Sequence, residues 1–220
     1  MEKIKIGDLE VSRVCLGGGK FVDMSVDEGV ELVRFAMDLG INIVDGHHRY
    51  GNAEEIYSYF PDVVRMTKVS AYKDNWRELV ENSKKVMGRI DIMWVSDLDD
   101  VTLYDRGKKI YDELKDEFPL LGITTENGLL AYRFKREFPG CFLFMLPVFC
   151  GMSPISISFI RDGKKTGYYT FSIKSFLDKQ LFMKYSVKQC IDFVKQVNPD
   201  VSLFGTSNIE HLKEIVKEFE

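Results

Sequence analysis

The feature that most narrows what this chain can fold into is a regular alternation. Short apolar, β-branched runs are followed by amphipathic stretches of helical period, and the pattern repeats through the whole sequence. Strands are predicted over residues 13–17, 41–45, 63–69, 91–95, 120–124, 141–148, 168–173 and 201–204. Helices are predicted after the Ser25–Glu28 capping pair up to Gly40, over residues 53–59, 76–87, 103–118 and 129–138, as a short helix within 153–165, from Ser186 to about Val197, and from a third capping pair, Ser207 and Glu210, onward. Before the first unit, residues 4–11 read as a hairpin turning at Gly7 and Asp8. Strands that alternate with helices pair in parallel through right-handed crossovers, and eight such units most simply close on themselves. The expected fold is therefore α/β, a (β/α)8 TIM barrel with an N-terminal β-hairpin, forming a single domain over residues 1–220. An open doubly wound sheet is the competing architecture. The run Gly17, Gly18, Gly19, Lys20, Phe21 lacks the GxGxxG spacing that its dinucleotide-binding form requires.

Composition removes several classes of function. A net charge of −4 gives no electrostatic reason to expect nucleic acid or anionic lipid as a partner. No apolar run approaches the roughly 20 residues that span a bilayer, and the first residues have no apolar core of a signal peptide. Cys15, Cys141, Cys150 and Cys190 are scattered in apolar or amphipathic stretches, which fits reduced thiols in a cytoplasmic protein. With three histidines and no clustered cysteine, no metal site is expected. The acids Asp97, Asp99 and Asp100 read as a solvated loop, and Trp76 and Trp94 as packing residues.

In such a barrel, chemistry belongs where strands end. Asp45 ends an apolar strand, where an unpaired carboxylate is costly, so it calls for a cation. Lys68, at the end of the next strand, is the natural partner. The pair taken alone also reads as a structural ion pair at the rim. With Tyr50 beside it, a lysine ammonium is expected to stabilise tyrosinate and lower the tyrosine pKa, making Tyr50 a usable general acid.

At this point the residues resemble a known family. Asp45 followed by Tyr50, Gly51 and Glu54, the strand Met66-Thr67-Lys68-Val69, the opening hairpin with Leu16-Gly17-Gly18, and the stretch Gly205-Thr206-Ser207-Asn208-Ile209-Glu210-His211-Leu212 are together similar to the aldo-keto reductases. The resemblance implies hydride transfer between a nicotinamide cofactor, NADP or NAD, and a small carbonyl substrate. It assigns proton donation to Tyr50, tuning of its acidity to Lys68 and Asp45, and cofactor contacts to Thr124, Thr125, Gly205, Thr206, Ser207, Asn208, His211 and Glu214. Free N–H groups at the start of the last helix would favour a phosphate.

The departures are as specific as the matches. Ser96 stands where the family has a histidine at the end of the fourth barrel strand, and its shorter reach weakens an oxyanion site. His47 or His48 is a substitute imidazole only on a speculative reading. Gly46 stands in place of a threonine, Thr124-Thr125 in place of Ser-Asn, and Ile173 in place of a stacking aromatic; no glutamine lies near Met145. The loop over residues 175–180 is short, with Lys174 and Lys179 as candidate phosphate contacts. Three functions follow. The first is an NAD(P)H-dependent reductase of a small aldehyde or ketone. The second is a catalytically weakened nucleotide-binding or ligand-sensing barrel, because of Ser96. The third is a Schiff-base lyase or isomerase on Lys68, which the charge of Asp45 disfavours.

Overall fold

The computed structural model of this chain describes residues 1–176 and 184–219. It opens with an antiparallel hairpin, β1 (Lys3–Ile6) and β2 (Leu9–Ser12), turning at Gly7 with φ +57°. Eight parallel strands then close a barrel: β3 (Val14–Gly17), β4 (Ile43–Asp45), β5 (Val64–Ser70), β6 (Ile92–Ser96), β7 (Leu121–Thr124), β8 (Leu143–Pro147), β9 (Tyr169–Ile173) and β10 (Val201–Phe204). The ring closes where β10 pairs with β3, in register from Ser202 against Val14 to Phe204 against Leu16. The barrel and hairpin are those expected from the alternation; the open sheet is excluded.

Side chains alternate strictly along the strands, as the period of two demands. Cys15, Ile43, Met66, Ile92, Trp94, Met145, Phe171 and Leu203 share one buried cluster that fills the barrel. Their neighbours Val14, Leu16, Val44, Met93, Val95 and Phe144 join the larger cluster under the helices. Ile6 and Val11 of the hairpin belong to the inner cluster, so the hairpin plugs the N-terminal end of the barrel. Trp94 is the largest wholly buried side chain and packs edge-on against Phe171, with ring centroids 4.9 Å apart. Gly122 makes this possible, since a Cβ there would lie 2.5 Å from the indole. The same alternation points Asp45, Lys68, Ser96 and Thr124 inward at the C-terminal ends of their strands.

The outer helices are α1 (Val26–Asp38), α2 (Ala53–Ser58), α3 (Trp76–Met87), α4 (Val101–Leu114), α5 (Gly128–Glu137), α6 (Pro154–Thr166), α7 (Val187–Val197) and α8 (Ile209–Phe219). The capping boxes at Ser25 and Ser186 form as read, each with its reciprocal side-chain bond. Several boundaries differ from the sequence reading, α4 for one ending at Leu114, and three differences have a visible cause at a cap. Helix α4 starts earlier because the Asp100 carboxylate caps the Leu103 N–H, 2.9 Å. Helix α6 is a full 13 residues because Ser153 caps it, Pro154 opens it and Gly167 ends it in the left-handed conformation. The third capping box does not form. Asn208, not Ser207, caps α8, accepting from the Glu210 N–H at 2.8 Å and the His211 N–H at 3.4 Å. The Glu210 carboxylate instead pairs with Lys213 at 2.7 Å.

No helix among the described residues is long and apolar enough to cross a membrane. The four cysteines are all free thiols, three of them buried and Cys150 half-buried.

Candidate active site

Two adjacent strands bring the first pair together. Asp45 aligns with Met66 in the β4–β5 register, so Lys68 lies one inward position further along β5. The Lys68 ammonium pairs with the Asp45 carboxylate, and the two side chains are 7% and 5% exposed. Burial on its own would discharge the ammonium. The Asp45 carboxylate, and Tyr50 after it, override that and hold Lys68 charged, above the ordinary lysine range.

Tyr50 sits in the turn that leaves β4. Its N–H donates to His47 O at 2.8 Å, and its carbonyl accepts from the Ala53 N–H at 3.1 Å. The Lys68 ammonium lies 5.4 Å from its ring centroid. The ring rests on the glycine run of the first loop. A Cβ on Gly18 would fall 2.2 Å from Asp45 O and 3.0 Å from the Tyr50 ring, so a larger residue would clash with the end of β4 and crowd the tyrosine. Glu54 holds the turn from behind. Buried on α2, it accepts from Thr67 Oγ1 and from Ser83 Oγ at 2.9 and 3.0 Å, tying α2 to β5 and α3.

The electrostatics correct one expectation. The Lys68 ammonium is the strongest single influence on Tyr50 and pulls its pKa down, but burial and the Asp45 carboxylate outweigh it, and the net shift is upward. The upward shift comes first from burial, which penalises the charged tyrosinate, and then from the repulsion of the Asp45 carboxylate. His47 is the other perturbed group. Burial, then the charges of His48, Lys68 and Arg49, push its pKa down to about 2, so the imidazole is neutral. Its Nδ1 accepts from the Arg49 N–H at 3.0 Å and its ring centroid lies 5.2 Å from that of Tyr50.

A cavity of about 580 Å³ opens in front of Tyr50. It runs from Gly17, Gly19 and Lys20 past Asp45, Tyr50 and Lys68 to Gly205, Thr206, Ser207 and Asn208, and ends against His211, Glu214 and Ile215 of α8. Nine of the residues singled out in the sequence therefore share one space: Asp45, Tyr50, Lys68, Gly205, Thr206, Ser207, Asn208, His211 and Glu214. Phe176, Val187 and Ile215 also line it and were not anticipated. Ile215 carried a signal, being one turn on from His211 on the same helix face. Val187, an apolar first residue of α7 that is 40% exposed, carried none. Lys174 lines the cavity at φ +56°, and its ammonium pairs with Glu126 across the rim. Lys179 lies outside the described residues.

Ser96, Thr124 and Thr125 do not line this cavity. The Ser96 hydroxyl is within bonding distance of Val69 O, 3.2 Å, and Asp97 Oδ2, 3.1 Å. The Thr125 hydroxyl reaches Leu98 O at 2.8 Å and accepts from the Asn127 N–H at 3.1 Å. Thr124 is buried at the end of β7. Among the described residues no three His, Cys, Asp or Glu side chains converge as a metal site would require.

No family model matches the chain, and no curated protein matches it. Solved structures do. A Pseudomonas aeruginosa protein assigned to the aldo-keto reductases superposes with a TM-score of 0.80 at 21% identity, covering 98% of this chain and 93% of that one. The glycerol dehydrogenase of Gluconobacter oxydans gives 0.78 at 18% identity, covering 99% and 90%. An aldo-keto reductase of Bacillus halodurans in its holo form gives 0.74 at 17% identity, covering 100% and 91%. At these identities the likeness establishes the fold: this chain superposes along nearly its whole length on the barrels of these proteins.

Proposed function

We propose that the protein is an NAD(P)H-dependent oxidoreductase that reduces a small aldehyde or ketone, with Tyr50 as general acid. The observation that carries this reading is the buried Asp45–Lys68 pair beside Tyr50, at the floor of a cavity that continues to the start of α8. The residues present fit a nicotinamide dinucleotide. The cavity is long, apolar along Ile173, Phe176 and Ile215, flanked by Lys20 and Lys174, and ends on the Thr206–Asn208 turn and His211. Such a cofactor, when bound, supplies the hydride. In this reading Gly205, Thr206, Ser207 and Asn208 hold its phosphate end and His211 and Glu214 its adenosine, while Thr124 and Thr125 take no part, since neither lines the cavity. Tyr50 donates its phenolic proton to the carbonyl oxygen. Lys68 stabilises the tyrosinate left behind, and Asp45 keeps Lys68 charged and in place. NADP is the first choice and NAD the second. The four free thiols fit a cytoplasmic location.

A second reading has its own observation. The Ser96 hydroxyl is engaged by Val69 O and Asp97, and Tyr50 is a weaker acid than the sequence implied. A barrel of this kind would bind the nucleotide without useful turnover. Titration with NADPH and NADH by fluorescence, followed by a panel of small aldehydes and ketones, separates the two. Oxidation of the bound nicotinamide supports the reductase, binding without oxidation supports the second reading, and no binding of either nucleotide ends both.

A further inference from the structure

The cavity runs from Tyr50 toward β3, β9, β10 and α8, and Arg49 is not among the residues that line it. The other side of Tyr50 is bounded by the ends of β5 and β6, and there the chain places Arg49, the residue immediately before Tyr50. The Arg49 side chain is 48% exposed, yet it is fixed at two points. Its Nη1 donates to Tyr72 Oη, with the guanidinium carbon 5.4 Å from that ring's centroid, and its Nη2 stands 3.9 Å from Asp97 Oδ2. The Asp97 carboxylate is already engaged by the Ser70 and Ser96 hydroxyls, and the residue is held at φ +66°. At 3.9 Å it orients the guanidinium without forming a close charge-assisted bond to it. A guanidinium has five N–H donors in a planar fork, and the Tyr72 contact uses one of them. The charge is close enough to act on Tyr50, where it works in the same direction as Lys68. Lys68 itself is not available to an anion, because Asp45 neutralises it.

We propose that Arg49 anchors a substrate carboxylate, so that the compound reduced at Tyr50 is a short carbonyl acid. This rests on the reductase reading above and adds the substrate class to it. Arg49 directly precedes Tyr50, and the Asp97 carboxylate that orients it also bonds Ser96 at the end of β6, so an anion held at Arg49 lies at the same rim as the carbonyl oxygen held by Tyr50. Tyr72 and Asp97 are positioning residues: they set the direction of the fork and touch no reacting atom.

Two measurements test this. The first is calorimetric titration of the protein with succinate, a carboxylate that cannot be reduced, with inorganic phosphate as a parallel arm. Succinate is expected to bind, and Arg49→Gln to weaken it about tenfold or more, with Arg49→Lys intermediate because it keeps the charge and loses the fork. Phosphate binding that exceeds succinate binding and is lost in the same variant would overturn the assignment of a carboxylate. The second is kcat/KM for succinic semialdehyde against butanal, which matches it in chain length. The acid is expected to be favoured about tenfold or more, and the ratio to fall toward unity in Arg49→Gln through KM. Turnover of butanal with no preference for the acid would overturn this inference and leave the reductase standing. Succinate binding that depends on Arg49, with no carbonyl turned over, would overturn the reductase and the substrate class with it, leaving only an anion site at Arg49. Tyr72→Phe, which keeps the ring and removes the acceptor, serves where Arg49→Gln does not fold; it is expected to raise the KM for the acid more than that for butanal.

Discussion

The two halves of the barrel mouth use the same kinds of residue in opposite ways. Around β4, β5, β10 and α8, polar groups face a cavity: Asp45 and Lys68 form its floor, and Thr206, Ser207 and Asn208 its far wall. Around β6 and β7, polar groups face one another. Ser70, Ser96 and Asp97 form one cluster, and Thr125, Asp99 and the Leu98 carbonyl form another. Polar groups at the strand ends thus line open space on one side and fasten loops to one another on the other.

This contrast can be broken by substitution, beginning on the open side. Tyr50→Phe is expected to lower kcat about a hundredfold to ten-thousandfold, the usual worth of a general acid, while the fluorescence titration with nucleotide stays nearly the same. Lys68→Met leaves the Asp45 carboxylate buried without its cation. Removing one member of a buried pair costs about 3–5 kcal/mol, so chemical denaturation should show a loss of that size, together with lost turnover. On the closed side the effects are structural. Thr125→Val removes the hydroxyl that bonds Leu98 O and accepts from Asn127; about 1–2 kcal/mol of stability should go, with nucleotide affinity little altered. A large fall in affinity would show that Thr125 turns to the cavity and that the two halves are alike.

At neutral pH the smallest effect is that of His47, whose contribution emerges only on acidification. In the folded protein its pKa is depressed from 6.5 to about 2, so below pH 6.5 the unfolded chain binds a proton that the folded chain refuses. Stability therefore rises with pH across that window and falls on acidification through it. His47→Asn cannot titrate and retains an acceptor for the Arg49 N–H. It should flatten the dependence of the denaturation midpoint on pH between 6.5 and about 4, relative to the parent. An unchanged slope would mean that the imidazole is solvated.

Most of the fold was legible because it rests on local patterns. Period-two strands and period-3.6 helices, with caps at Ser25 and Ser186, do not depend on where the next element goes. The Asp45, Tyr50 and Lys68 constellation was legible for a related reason, since strand ends in a barrel converge wherever the loops lead. Hydrogen-bond partners were not. Ser207 and Asn208 are both good capping residues, and only the path of the turn after β10 selects Asn208. Ser96 and Thr125 were read as facing a ligand because the carbonyls that engage them, Val69 O and Leu98 O, are near only in three dimensions. The direction of the Tyr50 shift failed likewise. Proximity to a lysine predicts a lower pKa, and the burial and carboxylate that reverse it are properties of the assembled site.

The seam of the barrel has a consequence for how any bound molecule acts on the whole chain. Strand β10 closes the ring against β3, and the Gly205–Asn208 turn and α8 that follow it line the cavity. The strands of this seam come from opposite ends of the sequence, so closing it carries the largest loop entropy of any pairing in the sheet. A molecule seated in the cavity contacts both sides, Gly17 and Lys20 on one and the β10–α8 turn on the other. Its binding free energy is thereby linked to seam closure and adds RT ln(1 + [L]/Kd) to the stability of the closed ring. Amide exchange in β3 and β10 should slow with ligand concentration along that logarithm, so that the pairing that closes the ring becomes a gauge of what the mouth holds.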